Sequence, residues 1–203
     1  MKLTSVHLCL LALLIFLGLP AHVSAAVETA VFAGGCFWCL EHDLGHVPGV
    51  ISARSGYSGG HLKNPTYSQV TTETTGHQES VEVQFDPEQL SYSQLLRYYW
   101  QNIDPFDAYG QFCDKGDSYR AVIFTRNELQ TQDAYHSLEW VMRELDIAPG
   151  QIKVHIEPAS IFWPAEEYHQ NYARRNTFKY NFYRYACGRD RRLREIWSPK
   201  VRY

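Results

Sequence analysis

After its first 25 residues the sequence has no long hydrophobic run, and it has no internal repeat, low-complexity tract or Pro- or Ser-rich linker. A membrane-spanning helix needs about 20 apolar residues, so residues 26–203 are expected to form a soluble protein. The lack of linkers predicts a single domain over this range. Aromatic residues make up 14% of the chain, which favours a packed globule over a disordered chain.

Residues 1–25 are predicted to be a signal peptide. Lys2 supplies the positive start, and the apolar run over 8–19 is about a dozen residues long, too short to span a bilayer comfortably. The small residues Ser24 and Ala25 fit a cleavage site before Ala26. The alternative is an uncleaved anchor. Cleavage predicts an exported protein without stable membrane insertion, periplasmic in a two-membrane bacterium.

Acidic residues are scarce near the C-terminus. Residues 174–203 contain ten Lys or Arg and only Asp190 and Glu195 as acids. A basic tail can bind nucleic acid, but the leader argues against that partner. The segment is therefore predicted to be a basic C-terminal tail that is either a solvated surface or a docking segment.

Cysteine is also scarce, with five in the whole chain and Cys9 inside the leader. Four cysteines in an oxidising compartment normally suggest two structural disulfides. A domain of this length folds without such staples, and Cys36 and Cys39 are too close in sequence to clamp a long loop. Redox chemistry is the better interpretation of this pair.

Cys36 lies in the octet GGCFWCLE at positions 34–41, between a predicted buried strand over 28–33 and a predicted helix over 40–45. The two glycines let the backbone turn sharply. The turn places Cys36 at a helix N-terminus, where free N–H groups and the helix dipole favour a thiolate. Phe37 and Trp38 follow at once. The octet predicts a nucleophile beside an apolar surface that holds a small apolar group.

Predicted strands and helices alternate along the rest of the chain, which favours a sheet covered by helices. Strands are predicted over 50–57, 79–85, 120–125 and 152–157, and helices over 65–72, 91–100, 127–145 and 164–176. The polar and apolar alternation from Glu79 to Phe85 places Glu79 on the inward face with Val81 and Val83, an unusual position for a carboxylate.

Five ordered motifs resemble the peptide methionine sulfoxide reductase family, class A. Besides the octet they are NPTY at 64–67, GHQE at 76–79, CDKGDSYR at 113–120 and AEEYHQNY at 165–172. The resemblance implies an α/β (α+β) two-layer sandwich with a mixed central sheet covered by helices. It also implies reduction of methionine-(S)-sulfoxide, free or in proteins, to methionine, with no cofactor.

In this family the chemistry needs a thiolate that attacks the electrophilic sulfur while the oxygen takes a proton. Cys36 is the predicted catalytic nucleophile and becomes a sulfenic acid. Glu79 is the predicted proton donor, kept neutral by burial. By resemblance, Tyr67, Tyr119 and Asp114 hold the sulfoxide oxygen, and Phe37 and Trp38 grip the substrate methyl group.

The sulfenic acid must be recycled through a disulfide that a thioredoxin-like donor reduces. Cys39 and Cys187 are equal candidates for the resolving cysteine, and Cys113 is the third. Many relatives have glycine at the position of Cys39. Cys187 lies on the basic tail, and a tail that swings toward Cys36 would form an accessible Cys36–Cys187 disulfide.

Other function classes fit the residues less well. Cys36, Cys39, His42 and His46 share one short helix, without the spacer of a zinc finger, so no metal is predicted. An exported thiol–disulfide oxidoreductase is the stronger rival, although it needs neither the Gly-His-Gln-Glu nor the Tyr motifs. A non-enzymatic methionine-binding module is the third class. The protein is expected to be a monomer.

Overall fold

Strands and helices alternate along the computed structural model, which describes residues 26–198. The predicted signal peptide lies outside the described residues. The strands are β1 (Glu28–Ala33), β2 (Val50–Ser58), β3 (Gln78–Phe85), β4 (Gly110–Gln111), β5 (Asp114–Lys115), β6 (Val122–Thr125), β7 (His155–Pro158) and β8 (Trp163–Pro164). The helices are α1 (Phe37–Gly45), α2 (Tyr67–Val70), α3 (Tyr92–Gln101), α4 (Glu128–Leu145), α5 (Tyr172–Arg175), α6 (Thr177–Ala186) and α7 (Arg189–Trp197).

Six strands form one mixed sheet in the order β7-β6-β1-β3-β2-β8, and β4 and β5 form a separate hairpin. Only β6 and β7 pair in parallel among the described strands; the other neighbours are antiparallel. In the central pair, Glu28 of β1 lies opposite Phe85 of β3, and Ala33 lies opposite Ser80. This register brings the end of β1, from which the chain enters α1, next to the start of β3.

The two faces of the sheet are covered differently. Alternation along β1 sends Phe32 into the main core, where it packs with apolar side chains of α1, α3 and α4, while Val31 joins a small cluster beneath Phe162. The helices thus lie against one face, and the expectation of an α/β fold with a mixed sheet covered by helices is confirmed. Within residues 26–198, no helix combines the length and apolarity that a bilayer span needs.

Two helices begin at the capping residues that the sequence predicted. Ser91 and Asn127 cap α3 and α4 with side chains that accept from Gln94 N and Gln130 N, as expected for these residue types. α1 begins at Phe37, three residues earlier than predicted.

The helix predicted over 164–176 is wrong. Pro164 belongs to β8, a single 3₁₀ turn follows at Glu167–His169, and only Tyr172–Arg175 is α-helical. Asn171 has a φ of 52°, which interrupts the helix. The side chain of Gln170 instead donates to Ser55 O and Ala165 O and accepts from Ser55 N, so the segment is fastened to β2.

Gly35 sets the turn between β1 and α1. Its φ of 79° suits glycine, and a Cβ added there would lie 2.6 Å from Gln111 Cβ. Gln111 is itself fully buried and bonds in both directions with the backbone of Asp104. The turn that places Cys36 at the start of α1 therefore packs closely against Gln111, whose side chain is held by its own hydrogen bonds.

Gly35→Ala is expected to lower the free energy of unfolding by at least about 1–2 kcal/mol, because it combines a left-handed backbone with a steric clash. Gly45→Ala is the matched control: an added Cβ there is 3.4 Å from Ala53 Cβ, and alanine suits a helix, so stability should change by less than about 1 kcal/mol. Urea unfolding measures both. Equal losses in the two variants would contradict this role of Gly35.

Candidate active site

Cys36 is the N-cap residue of α1, and its carbonyl accepts hydrogen bonds from Cys39 N and Leu40 N. Its side chain points into the protein, since the residue is only 7% exposed. The expectation that the octet places Cys36 at a helix start is therefore confirmed. The thiol therefore lies at a helix N-terminus and faces the interior of the protein.

Glu79 lies beside this helix start. It is 2% exposed, and its Oε2 accepts a hydrogen bond of 3.0 Å from Phe37 N, the first residue of α1. Val81 and Val83 follow on the same face of β3 and are also buried. Burial raises the pKa of Glu79 to about 8, and the nearby charge of Asp114 acts in the same direction, although the bond from Phe37 opposes the shift.

A cavity of about 80 Å³ joins these two groups. Its lining contains every predicted catalytic and substrate-binding residue and one more: Cys36, Phe37, Trp38, Tyr67, Glu79, Asp114, Tyr119 and Tyr183. The three candidate resolving cysteines are not part of this lining. A space of this size suits a sulfoxide group and its methyl substituent.

Aromatic side chains form the apolar wall of the cavity. The rings of Phe37 and Tyr67 lie 6.4 Å apart, and Trp38 stacks on Tyr172 with a centroid distance of 3.7 Å. The indole N–H of Trp38 donates to His169 Nδ1 at 3.0 Å. Burial lowers the pKa of His169, which keeps this imidazole neutral and able to accept. Trp38 is thus fixed on both its face and its edge.

Phenols and a carboxylate form the polar wall. Burial raises the pKa of Tyr67 to about 12 and raises that of Tyr119 as well, so both phenols keep their protons and remain hydrogen-bond donors. Tyr183 donates to Asp114 Oδ2 at 2.5 Å and also interacts with the Cys36 thiol. Burial raises the pKa of Asp114 too.

Motif residues outside the cavity hold its walls. Glu166 accepts from Tyr67 N and from the hydroxyl of Tyr57, both at 2.8 Å. Glu73 accepts from the backbone and hydroxyl of Ser118, which precedes Tyr119. The polar motifs therefore serve largely as braces for the few side chains that face the cavity.

The resting Cys36 thiol is not the favoured thiolate that its helix position predicted. Burial raises its pKa, and a hydrogen bond that it donates to Cys39 raises it further. The same bond lowers the pKa of Cys39 to about 7, with help from the charges of Arg189 and Arg184. Desolvation outweighs the helix terminus here, and the negative charge of the pair falls on Cys39.

Cys187 is bonded to Cys113 rather than free, with a Cα–Cα distance of 5.0 Å, whereas Cys36 and Cys39 are free and buried. The expected swinging tail is also wrong, because 177–197 forms α6 and α7. Its arginines find partners in the fold: Arg184 binds Asp43 and Asp190. The sulfurs of Cys113 and Cys187 and a carboxylate oxygen of Asp114 lie within 4.8 Å of one another.

A larger groove of about 570 Å³ lies between α1 and α6 and contains none of the predicted site residues. Its lining includes His42, His46, Asn171 and Tyr180. The chemistry therefore belongs to the smaller cavity, where thiol, buried acid and donors converge.

Tyr183, His169 and Tyr172 belong to the site or its support but were not predicted from the sequence. His169 and Tyr172 lie inside the AEEYHQNY motif, so their place in that motif could have indicated a role at the site. Tyr183 is one of many aromatics in 177–186. Only its position one helical turn before Cys187 and its contact with Asp114 distinguish it.

Comparisons with known proteins agree with this geometry. The chain matches the family described as "Peptide methionine sulfoxide reductase" over residues 28–201. It is 52% identical over 179 residues to "Peptide methionine sulfoxide reductase MsrA 2" of Caulobacter vibrioides, covering 88% of this chain and 90% of that protein.

Solved structures show the same fold. "Methionine sulfoxide reductase A of Corynebacterium diphtheriae" aligns with a TM-score of 0.68 and 32% identity over 79% of this chain and 77% of that one. A structure of Saccharomyces cerevisiae Mxr1 in complex with Trx2 aligns with a TM-score of 0.50 and 18% identity, over 72% of this chain and 85% of that one, which shows the fold alone.

Raising the pH from about 5 to 8 is expected to destabilise the wild type relative to Glu79→Gln. The folded pKa of Glu79, about 8, exceeds that of an unfolded glutamate, so between the two values the native state binds more protons and stability falls as pH rises. Urea unfolding of both proteins across this pH range measures the difference between their free energies of unfolding. The other titrating groups are the same in both proteins, so their contributions largely cancel. A difference that does not change with pH would contradict a buried, neutral Glu79.

Proposed function

Because the chain belongs to the peptide methionine sulfoxide reductase family, we propose that it reduces methionine-(S)-sulfoxide, free or within proteins, to methionine. The chain is accordingly an oxidoreductase, and the family resemblance seen in its motifs is confirmed. The observation that carries the proposal is the cavity itself, in which the Cys36 thiol, the neutral carboxyl of Glu79 and three phenols surround a space of about 80 Å³.

In the first step the Cys36 sulfur attacks the sulfoxide sulfur. The Cys36 proton passes to Cys39, which already accepts a hydrogen bond from it. Glu79 gives its proton to the sulfoxide oxygen, the role of a general acid. The hydroxyl then moves from the substrate sulfur to the Cys36 sulfur: the substrate S–O bond and the transient bond between the two sulfurs break, and an S–O bond forms on Cys36. The substrate sulfur gains two electrons and leaves as a thioether, while Cys36 loses two and becomes a sulfenic acid.

The polar wall stabilises the oxygen as it becomes more basic. Tyr67 and Tyr119 are protonated phenols that line the cavity, and donors placed where charge develops give oxyanion-type help. The ring of Phe37 and the fixed indole of Trp38 hold the methyl group, so the substrate is oriented at both ends.

Recycling uses Cys39 as the resolving residue. Its thiol already interacts with Cys36, whereas Cys187 and Cys113 are bonded to each other. The Cys39 sulfur attacks the Cys36 sulfenic acid, forming a Cys36–Cys39 disulfide and releasing water from the Cys36 hydroxyl and the Cys39 proton. A thioredoxin-like dithiol then reduces this disulfide. The Mxr1 complex with Trx2 illustrates such a partner for a protein of the same fold.

We further infer that the protein is an exported monomer that repairs proteins damaged by oxidative stress. The leader pattern at 1–25 supports export. In a two-membrane bacterium the exported protein would lie in the periplasm. The rival function, exported thiol–disulfide oxidoreductase, is not favoured. A thiol–disulfide exchange would use neither the neutral carboxyl of Glu79 nor the phenols of Tyr67 and Tyr119 that line the cavity with Cys36.

Reduced wild-type protein mixed with methionine-(S)-sulfoxide, without added reductant, is expected to release about one methionine per molecule. Cys36→Ser should release none, because no nucleophile remains. Cys39→Ser should release about one, more slowly because the base for the Cys36 proton is missing, and should stop turning over with a thioredoxin system. Chromatographic quantification of methionine measures all three. Product from Cys36→Ser, or sustained turnover by Cys39→Ser, would contradict the assigned roles.

A further inference from the structure

Two segments far apart in sequence build one wall of the cavity. Asp114 comes from the β4–β5 hairpin, and Tyr183 comes from α6. Their side chains meet through the hydrogen bond of 2.5 Å from the Tyr183 hydroxyl to Asp114 Oδ2, and Tyr183 reaches on to the Cys36 thiol. The shape of the cavity on this side depends on keeping the hairpin and α6 together.

Each segment has an anchor of its own, Gln111 of β4 on the backbone of Asp104 and Arg184 of α6 on Asp43, but these anchors do not join the hairpin to α6. The hairpin has two-residue strands that pair only with each other among the described strands, and such an isolated hairpin is marginal in water. α6 buries only Tyr180 completely, while Phe178, Phe182 and Tyr185 are exposed. Ordinary core packing therefore does not fix the distance between the two.

The Cys113–Cys187 disulfide joins these segments next to the wall. Cys113 immediately precedes Asp114, and Cys187 follows Tyr183 by four residues, one helical turn. Arg189 reinforces the same junction: its guanidinium lies 4.5 Å from the ring centre of Phe112, and it donates to Asn102 O. The covalent link and the Tyr183–Asp114 bond lie side by side.

We propose that the Cys113–Cys187 disulfide is a positioning clamp for the substrate site: it holds Tyr183 against Asp114 and does not carry electrons in the catalytic cycle. The inference rests on the proposed function, since the wall that it positions receives the sulfoxide. Reduction of the clamp should leave the Cys36 chemistry in place and weaken substrate binding. Because Cys113 is exposed, substrate affinity is open to control by the redox state of the compartment.

The test uses the double variant Cys36→Ser, Cys39→Ser, in which Cys113 and Cys187 are the only cysteines after residue 25. Dithiothreitol then acts on this disulfide alone in the folded domain, cleaving it to two thiols while becoming a cyclic disulfide itself. Calorimetry measures binding of methionine-(S)-sulfoxide before and after reduction. The dissociation constant should rise roughly 5- to 150-fold, the usual range for coupling between sites. An unchanged constant would overturn the clamp.

Variants in the otherwise intact protein separate the clamp from an electron relay. Cys113→Ser, Cys187→Ser and the double variant should raise KM alike, because each removes the same bond, and should keep multiple turnover with a thioredoxin system. Tyr183→Phe should raise KM in the same direction and add little to the loss of the disulfide. Phe178→Ala, 86% exposed on α6, is the matched control and should change nothing.

The outcomes are distinguishable from one another. Loss of multiple turnover in Cys187→Ser with an unchanged KM would overturn the clamp in favour of a relay. Absence of methionine from wild-type protein would instead refute the proposed function. Circular dichroism checks that each variant is folded, and if one is not, the calorimetric comparison of oxidised and reduced protein still decides.

Discussion

The hydrogen bond from Phe37 N to Glu79 Oε2, made where water is excluded, is the constraint on which the site depends. It joins the first turn of α1 to the first residues of β3 at 3.0 Å, and so sets the distance between thiol and acid. The bond alone would favour the charged carboxylate. Desolvation is stronger and raises the pKa of Glu79 to about 8, which leaves a carboxylic acid that is both oriented and protonated at neutral pH.

Desolvation also separates the roles of the two buried cysteines from those of the other two. Burial keeps Cys36 protonated at rest, while Cys39, near Arg184 and Arg189, is the more acidic partner and the nearest base. The other two cysteines are bonded at the rim, where Cys113 is exposed. A nucleophile that is neutral until substrate arrives is protected from stray oxidation, since susceptibility follows thiolate character and exposure.

Sequence patterns predicted the parts of the site that local rules control. The glycines before Cys36 predicted its turn, and the alternation along β3 predicted that Glu79 faces inward. Contacts between distant segments carry no such local signal. Gln170 fastens 164–176 to β2 and prevents the expected helix, and Cys187 meets Cys113 across 74 residues. Desolvation at Cys36 also depends on the assembled fold, so its pKa could not be inferred from its helix position.

Infrared spectroscopy tests the central claim most directly, because a carboxylic acid and a carboxylate absorb at different frequencies. A difference spectrum between wild-type protein and Glu79→Gln at pH 7 should contain the carbonyl band of a protonated, buried carboxylic acid. That band should be lost as the pH rises through about 8, the pKa that burial gives Glu79. A carboxylate signature at pH 7 that persists down to pH 5 would contradict the account, since Glu79 would then have no proton to give.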